Sequence, residues 1–438
     1  MCALVFLHLS DIHFRRNAGK TYDPFADLRN ELELDLAAFS KEHFKSFSAI
    51  LVTGDIAYSG AIEEYGFASA WLEKVANELS LSPGEDVRVI PGNHDIQRDV
   101  VNGSPTIQGY HSALRTPDAD LNELLIGYLE KDTEARRIIY KPLQNYVDFA
   151  ARFQCEVSAT KPFWDSPYRL NDGSLLIVRG MNSTLISDEL DTDAAHKLVV
   201  GNHQLELTRQ DGVEYMALCH HPPQWLLDQD QAETLLTDRA RIQLFGHKHQ
   251  QRLTRLEDSV RIVAGAVHPE KREPNWVPRY NFLKIETSEG DNLRKMHVTV
   301  YPRVFDGTHF VSGADAHISK QYDLPLKPWA GRPGTTREQE ARDATVTLTS
   351  TEGGLHMRPG RRLTYRVLSL PYHARIKVVQ QLNLVHADDE GLRDSELYQR
   401  YFSRAAEREQ LHDLWNLINE YSDECEDNPF PKKEGLTK

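Results

Sequence analysis

The stretch Leu4-Val5-Phe6-Leu7-His8-Leu9-Ser10-Asp11-Ile12-His13 joins a short apolar run to an acid and an imidazole two residues apart. Six residues rich in Leu, Val and Phe are too few for a helix and read as a buried β-strand, so Asp11 and His13 stand at its carboxyl end. The pattern recurs. Ala49–Val52 runs into Thr53-Gly54-Asp55, and Val87–Ile90 into Pro91-Gly92-Asn93-His94-Asp95. Tyr215–Leu218 runs into Cys219-His220-His221-Pro222-Pro223, and Ile242–Phe245 into Gly246-His247-Lys248-His249. Ligands of layered α/β folds sit beyond the carboxyl ends of strands, so five such loops can converge on one site.

Carboxylate, amide oxygen and imidazole without a thiolate cluster are the donors of a hard-to-borderline divalent cation, Mn²⁺, Fe or Zn²⁺. In an extended chain residues two apart point the same way, which predicts that Asp11 with His13, and His247 with His249, each aim two donors at one place. Gly54, Gly92 and Gly246 allow the sharp turns and close approach that such loops need.

Further runs at Leu175–Val178, Arg261–Val263 and Phe282–Ile285 read as strands, and Leu28–Phe39 and Glu63–Leu79 carry apolar residues at helical spacing. The alternation is that of an α/β fold. Residues 97–170 interrupt it with two helical patterns, Ala119–Glu130 and Pro142–Phe153, as either a cap beside the site or a helical pair on the flank. Residues 306–345 read as a linker marked by Pro325, Pro328 and Pro333. Residues 346–438 read as a small helical domain, with helices expected over Tyr372–Leu384 and Asp394–Tyr421 and a frayed acidic end.

With 438 residues, 40% of them hydrophobic, 26% charged and 9% aromatic, the chain has the means for a real core and is neither disordered nor fibrous. No apolar run reaches the roughly 18 residues of a membrane span, so no membrane partner is expected. Four cysteines without paired spacing suit a reducing compartment, and the cytoplasm is the expected location. The net charge of −14 opposes non-specific polyanion binding over the whole surface. Because residues 311–438 hold 18 basic and 20 acidic side chains, most of that charge belongs to the first domain.

Each short motif alone is weak, and Gly201-Asn202-His203 reads as no more than a helix start. The five together, in this order, resemble the calcineurin-like metallophosphoesterases, whose D-x-H, G-D, G-N-H-D, H and G-H-x-H signature is complete here over residues 1–305. Thr53 to Ala57, Gly60, Glu63-Glu64-Tyr65 and His220 to Pro223 look most like the class III cyclic-nucleotide phosphodiesterase branch. The resemblance implies a four-layer αββα sandwich with two divalent metal ions, Mn²⁺ foremost. Asp11, His13 and His249 would hold one, Asn93, His220 and His247 the other, and Asp55 would bridge them. Two such cations roughly 3.5–4 Å apart generate hydroxide at neutral pH and stabilise phosphoryl oxygens during in-line attack. His94 would contact the phosphate or protonate the leaving oxygen, and Asp95 would either orient His94 or merely stabilise the turn.

Around this set, Arg15 and Arg16 read as phosphate ligands or a basic surface pair, His268 as a pocket or packing residue, and His221 as support for the ligands or packing. Cys219 reads as a small buried apolar group. The expected activity is metal-dependent phosphodiester hydrolysis of a cyclic or small nucleotide. A second reading is a nuclease acting on DNA or RNA, with the C-terminal module recruiting a protein partner. That tail faintly resembles small association modules of bacterial conflict systems, and equally suits a helical pair packed on the catalytic domain. A third reading, a non-catalytic scaffold, conflicts with the complete ligand set.

Overall fold

The computed structural model describes residues 3–430 apart from 21, 192–196, 270–276, 291–292, 314–317, 330–358, 390–391, 393, 423–424 and 426. Most of the Pro- and Gly-rich part of the expected linker, Pro333 included, and part of the acidic end lie outside the described residues.

Thirteen strands form two sheets among the described residues: β1 Leu4–Leu9, β2 Ala49–Val52, β3 Val87–Val89, β4 Trp164–Arg169, β5 Leu175–Gly180, β6 Val213–Cys219, β7 Ala240–Phe245, β8 Arg252–Arg255, β9 Val260–Val263, β10 Arg279–Gly290, β11 Leu293–Phe305, β12 Phe310–Ser312 and β13 Lys320–Leu326. The first sheet runs β12-β11-β10-β1-β2-β3 with β13 also on β11, and the second β4-β5-β6-β7-β9-β8. β1, β2 and β3 are parallel, as are β5, β6, β7 and β9, so both sheets deliver carboxyl ends to one edge of the molecule.

All of β1 and β2 is buried, as continuous apolar runs require when both faces of a sheet are covered. Each such Leu, Val or Ile contributes roughly 1.5–3 kcal/mol. Between the sheets, Phe6 meets the edge of Tyr168 at 5.1 Å, and the Trp164 indole donates to the Val89 carbonyl at 2.9 Å. Outside the first sheet, Phe39 of helix Ala26–His43 stacks on Phe282 at 5.3 Å. Helix Gln229–Arg239 covers the second sheet. This is the expected four-layer α/β sandwich.

Three expectations change. The span 97–170 is more elaborate than two helices: it holds helices at Arg98–Asn102, Pro105–Arg115, Leu121–Ile126, Thr133–Tyr140 and Gln144–Ala150, and ends in β4, an edge strand of the core sheet. Sheet pairing does not stop at 305. β13 pairs with β11 from Lys320 to Leu326, within the stretch expected to be linker. The long C-terminal helix is two, Asp394–Glu407 and Leu411–Tyr421, broken where Glu409 adopts a φ of 60°. A helix at Pro359–Ser369 had no expected counterpart. It packs on Ala151–Phe153 and Pro83–Asp86, so the C-terminal helices, with Val367, Val378, Leu414, Trp415 and Ile418 as their core, rest directly on the first domain.

Candidate metal centre

Five of the seven expected ligands have left-handed backbone: Asp11 (φ 53°), His13 (52°), Asp55 (52°), His247 (67°) and His249 (51°). Such conformations are uncommon for non-glycine residues and persist only where surrounding structure imposes them. Strand alternation therefore does not aim the D-x-H and H-x-H pairs, as expected from an extended chain; tight left-handed turns do. Gly54 at φ 93° continues the same turn, and a Cβ there would lie 2.5 Å from His220 Nδ1. At Gly92 a Cβ would lie 2.1 Å from Asp55 Oδ1, so the Asn93 loop can approach Asp55 only as glycine.

Backbone hydrogen bonds tie the loops to one another, within each sheet and, at Val267, between the two. Asp11 N–H donates to the Gly54 carbonyl at 3.1 Å, Gly246 N–H to the His220 carbonyl at 3.0 Å, and Val267 N–H to the Ser10 carbonyl at 2.9 Å. The side chains then meet as two clusters whose donor atoms lie within 4.8 Å: Asp11, His13, Asp55 and His249, and His220, His221 and His247. Asn93 joins the second, its Oδ1 3.1 Å from His220 Nε2 and 3.0 Å from His247 Nδ1. All seven expected ligands are brought together.

The donor set fits cations. His220 Nδ1 sits 2.7 Å from the Thr53 carbonyl, which only accepts, so the proton is on Nδ1 and the Nε2 lone pair faces Asp55 Oδ2 at 3.3 Å. His13 repeats the arrangement: Nδ1 is 3.3 Å from the His268 carbonyl and Nε2 is 3.3 Å from the same Asp55 oxygen. Lone pairs directed at one buried carboxylate oxygen repel unless positive charge lies among them. Burial depresses the His220 imidazole, yet the attraction of Asp55 outweighs it and lifts the group to about 9, so that a proton on Nε2 supplies this positive charge wherever a cation does not. Burial would raise Asp11, and His249, 3.2 Å away, instead brings it down to about 2.

His94 Nδ1 bonds the Tyr58 carbonyl at 2.8 Å, and its N–H donates to Asp55 Oδ1 at 2.7 Å, which leaves Nε2 for a ligand. Asp95 does not touch the His94 ring. Its carboxylate accepts from Gly92, Ile56 and Ala57 N–H and from the Tyr65 hydroxyl, so of its two readings the geometry matches the turn-stabilising one. Arg15 stacks over Tyr58, 3.6 Å from the ring centroid, beside His94, whereas Arg16 is exposed. His268 is buried and stacks on Phe25; its backbone carbonyl supports His13 rather than its ring lining an opening. His221, also buried, bonds Ser183 through Nδ1 and packs on His247. Burial pushes the Cys219 thiol up to about 12, as suits an inert packing group. Gly201 precedes the short helix Asn202–Leu205, as expected.

Thr53, Tyr58 and Ser183 escaped the sequence reading because two of them act through backbone carbonyls that no side-chain pattern reports. Ser183 follows β5, whose loop carries no acid-imidazole signal.

No helix among the described residues is long and apolar enough to cross a membrane. Residues 360–420 match the model of a GTPase-associated adaptor domain. The uncharacterized metallophosphoesterase-like protein YydB of Bacillus subtilis is 33% identical over 95 residues, 22% of this chain and 18% of that protein, so the chain spans under a fifth of this curated relative. Among solved structures, purple acid phosphatase PPD1 of yellow lupin aligns with a TM-score of 0.37 at 11% identity, covering 80% of this chain and 57% of that one. Vps29 of Chaetomium thermophilum aligns at 0.31 and 10% identity, covering 74% and 100%. The sequence match over residues 4–251, more than half of the chain and every loop of the centre, is to the calcineurin-like phosphoesterases, and to that family the protein belongs.

Proposed function

We propose that the protein hydrolyses a phosphodiester of a cyclic or small nucleotide, using two divalent cations, Mn²⁺ foremost, held by Asp11, His13, His249 and Asp55 and by Asn93, His220, His247 and Asp55. The observation that carries this reading is the convergence of the His13 and His220 Nε2 atoms on Asp55 Oδ2, 3.3 Å from each. Bound there, the cations supply Lewis acidity to the phosphoryl group and acidify water. Thr53 and His268 fix the tautomers through their carbonyls, so the imidazoles present lone pairs without reorganising. His94, oriented by Tyr58, presents Nε2 to the substrate and, as the imidazolium, passes the Nε2 proton to the leaving oxygen, which leaves the neutral ring with its remaining proton on Nδ1.

A second reading, a nuclease whose C-terminal helices recruit a protein, is supported by the adaptor-domain match, and its partner would be of the GTPase class. One screen tests both: purified protein with Mn²⁺ against bis-p-nitrophenyl phosphate, cyclic nucleotides, single- and double-stranded DNA, and RNA. Turnover of cyclic nucleotides over polymers supports the first reading, and the reverse supports the second. Two bound Mn²⁺ with no turnover of any diester would leave the scaffold reading standing.

A further inference from the structure

The adjacent residues Glu64 and Tyr65 open helix Ile62–Glu78 and grip two different loops of the metal centre. Glu64, 2% exposed, accepts from Ser59 N–H at 2.8 Å, Ser59 hydroxyl at 2.9 Å and Ala61 N–H at 3.2 Å, closing the turn after Tyr58, whose carbonyl holds His94. Tyr65, 4% exposed, donates to Asp95 Oδ1 at 3.0 Å. Asp95 in turn ties the Asp55 loop to the Asn93 loop, through Ala57 N–H at 2.9 Å and Gly92 N–H at 2.8 Å. One helical turn thus sets the spacing of the shared carboxylate, Asn93 and His94.

The same helix carries Glu73, eight residues and about 12 Å further along. The Tyr365 phenol of the C-terminal helix Pro359–Ser369 is pushed up by its burial and by this Glu73 carboxylate beside it. A parallel line of rings joins the two ends: Tyr65 stacks on Phe149 at 4.9 Å, Phe149 meets Phe153 at 5.3 Å, and Phe153 meets Tyr365 at 6.1 Å. Rigid, densely packed elements transmit displacement because they cannot deform continuously.

We propose that Tyr65 is a positioning residue for the metal centre and that helix Ile62–Glu78 is the lever through which the seating of the C-terminal helices sets the geometry of the Asp55 and Asn93 loops. The proposal rests on the phosphoesterase reading for its kinetic arm only. A partner that lifts or seats helix Pro359–Ser369 changes turnover and cation affinity without touching the substrate.

The test uses the full chain with Tyr65→Phe, Tyr365→Phe and the double variant, measuring Mn²⁺ affinity by calorimetry and kcat and KM on bis-p-nitrophenyl phosphate. Loss of one buried hydroxyl bond predicts that Tyr65→Phe weakens Mn²⁺ binding and lowers kcat by about 3- to 10-fold, with KM unchanged. Tyr365→Phe shifts both in the same direction by less, and the double variant is no worse than Tyr65→Phe alone, because both act on one helix. Wild-type affinity and kcat in Tyr65→Phe, or independent multiplication of the two effects, would overturn the proposal. If the wild-type protein hydrolyses no diester, the reading of function fails, and the Mn²⁺ titrations still decide the lever.

Discussion

His220 Nε2 lies 3.3 Å from Asp55 Oδ2 across the seam between the two sheets, with both side chains all but sealed from solvent. Neither sheet alone can supply that contact. The centre therefore reports on how the sheets are seated, and substitutions that disturb either partner act on both cation clusters at once.

Asp55→Asn removes the shared negative charge on which His13 and His220 converge. Metal affinity should fall by more than the roughly 10- to 100-fold typical of losing an outer hydrogen-bond partner, with activity lost in parallel. Elemental analysis of the purified variant checks this. Two retained metals and unchanged turnover would remove Asp55 from the mechanism.

His94→Ala should keep both metals, since the ring bonds Tyr58 and belongs to neither cluster. Turnover should slow by ~10²- to 10⁴-fold if the ring protonates the leaving oxygen. The deficit should shrink on p-nitrophenyl esters, whose leaving group departs without a proton, and stay large on nucleoside alkoxides. Equal deficits on the two substrates would assign His94 to phosphate binding instead.

Truncation now has a structural boundary. A chain ending at residue 310 lacks β13, leaving β11 with an unpaired edge from Arg294 to Val300, and should aggregate. A chain ending at Trp329 keeps that pairing but uncovers Ala151 and its neighbours beneath helix Pro359–Ser369. It should stay soluble with a lower Tm than the full chain. Comparing the two by size-exclusion chromatography and thermal melting separates these outcomes, and equal solubility would mean that β13 is dispensable.

Asp188 fastens helix Pro105–Arg115 to the loop after β5, accepting from His111 Nδ1 at 3.0 Å and from Arg115 at 2.6 and 2.8 Å. Burial alone would raise its carboxyl, but the His111 and Arg115 hydrogen bonds hold it well below the ordinary range. A depressed carboxyl contributes stability that is present above its unfolded value near 4 and is lost as pH falls toward the folded one. At pH 7, Asp188→Asn should therefore cost about 1.5–3 kcal/mol. Below pH 4 the difference from wild type should begin to narrow, and it should close only as the pH nears the folded value. Denaturant melts at pH 7 and pH 3 read both, and an identical gap at the two values would show that the charge is not what matters.

Two features were hard to read in the sequence for one physical reason. The stretch Leu293-Arg294-Lys295-Met296-His297-Val298 hides its strand period because the inward position of Arg294 is charged, and Asp172, Ser174 and Glu214, distant in sequence, make that burial tolerable. Asp95 likewise carried two readings, orienting His94 or stabilising the turn, until the fold placed Ile56, Ala57 and Tyr65 around its oxygens.

By itself the sequence determined the strand-loop grammar and the chemistry: apolar runs that must be buried, each ending in Asp, Asn or His, name an α/β sandwich with a divalent-metal site before any coordinate is known. Those signals are local and periodic, so they survive in one dimension. What the tertiary structure alone decided is conformation and pairing: the left-handed turns at Asp11, His13, Asp55, His247 and His249, the carbonyls of Thr53, Tyr58 and His268 that set imidazole tautomers, and the seating of helix Pro359–Ser369 on the first domain. Each of these is imposed by groups far apart along the chain, and the free energy that holds a strained turn or a buried lone pair in place comes from the packing around it.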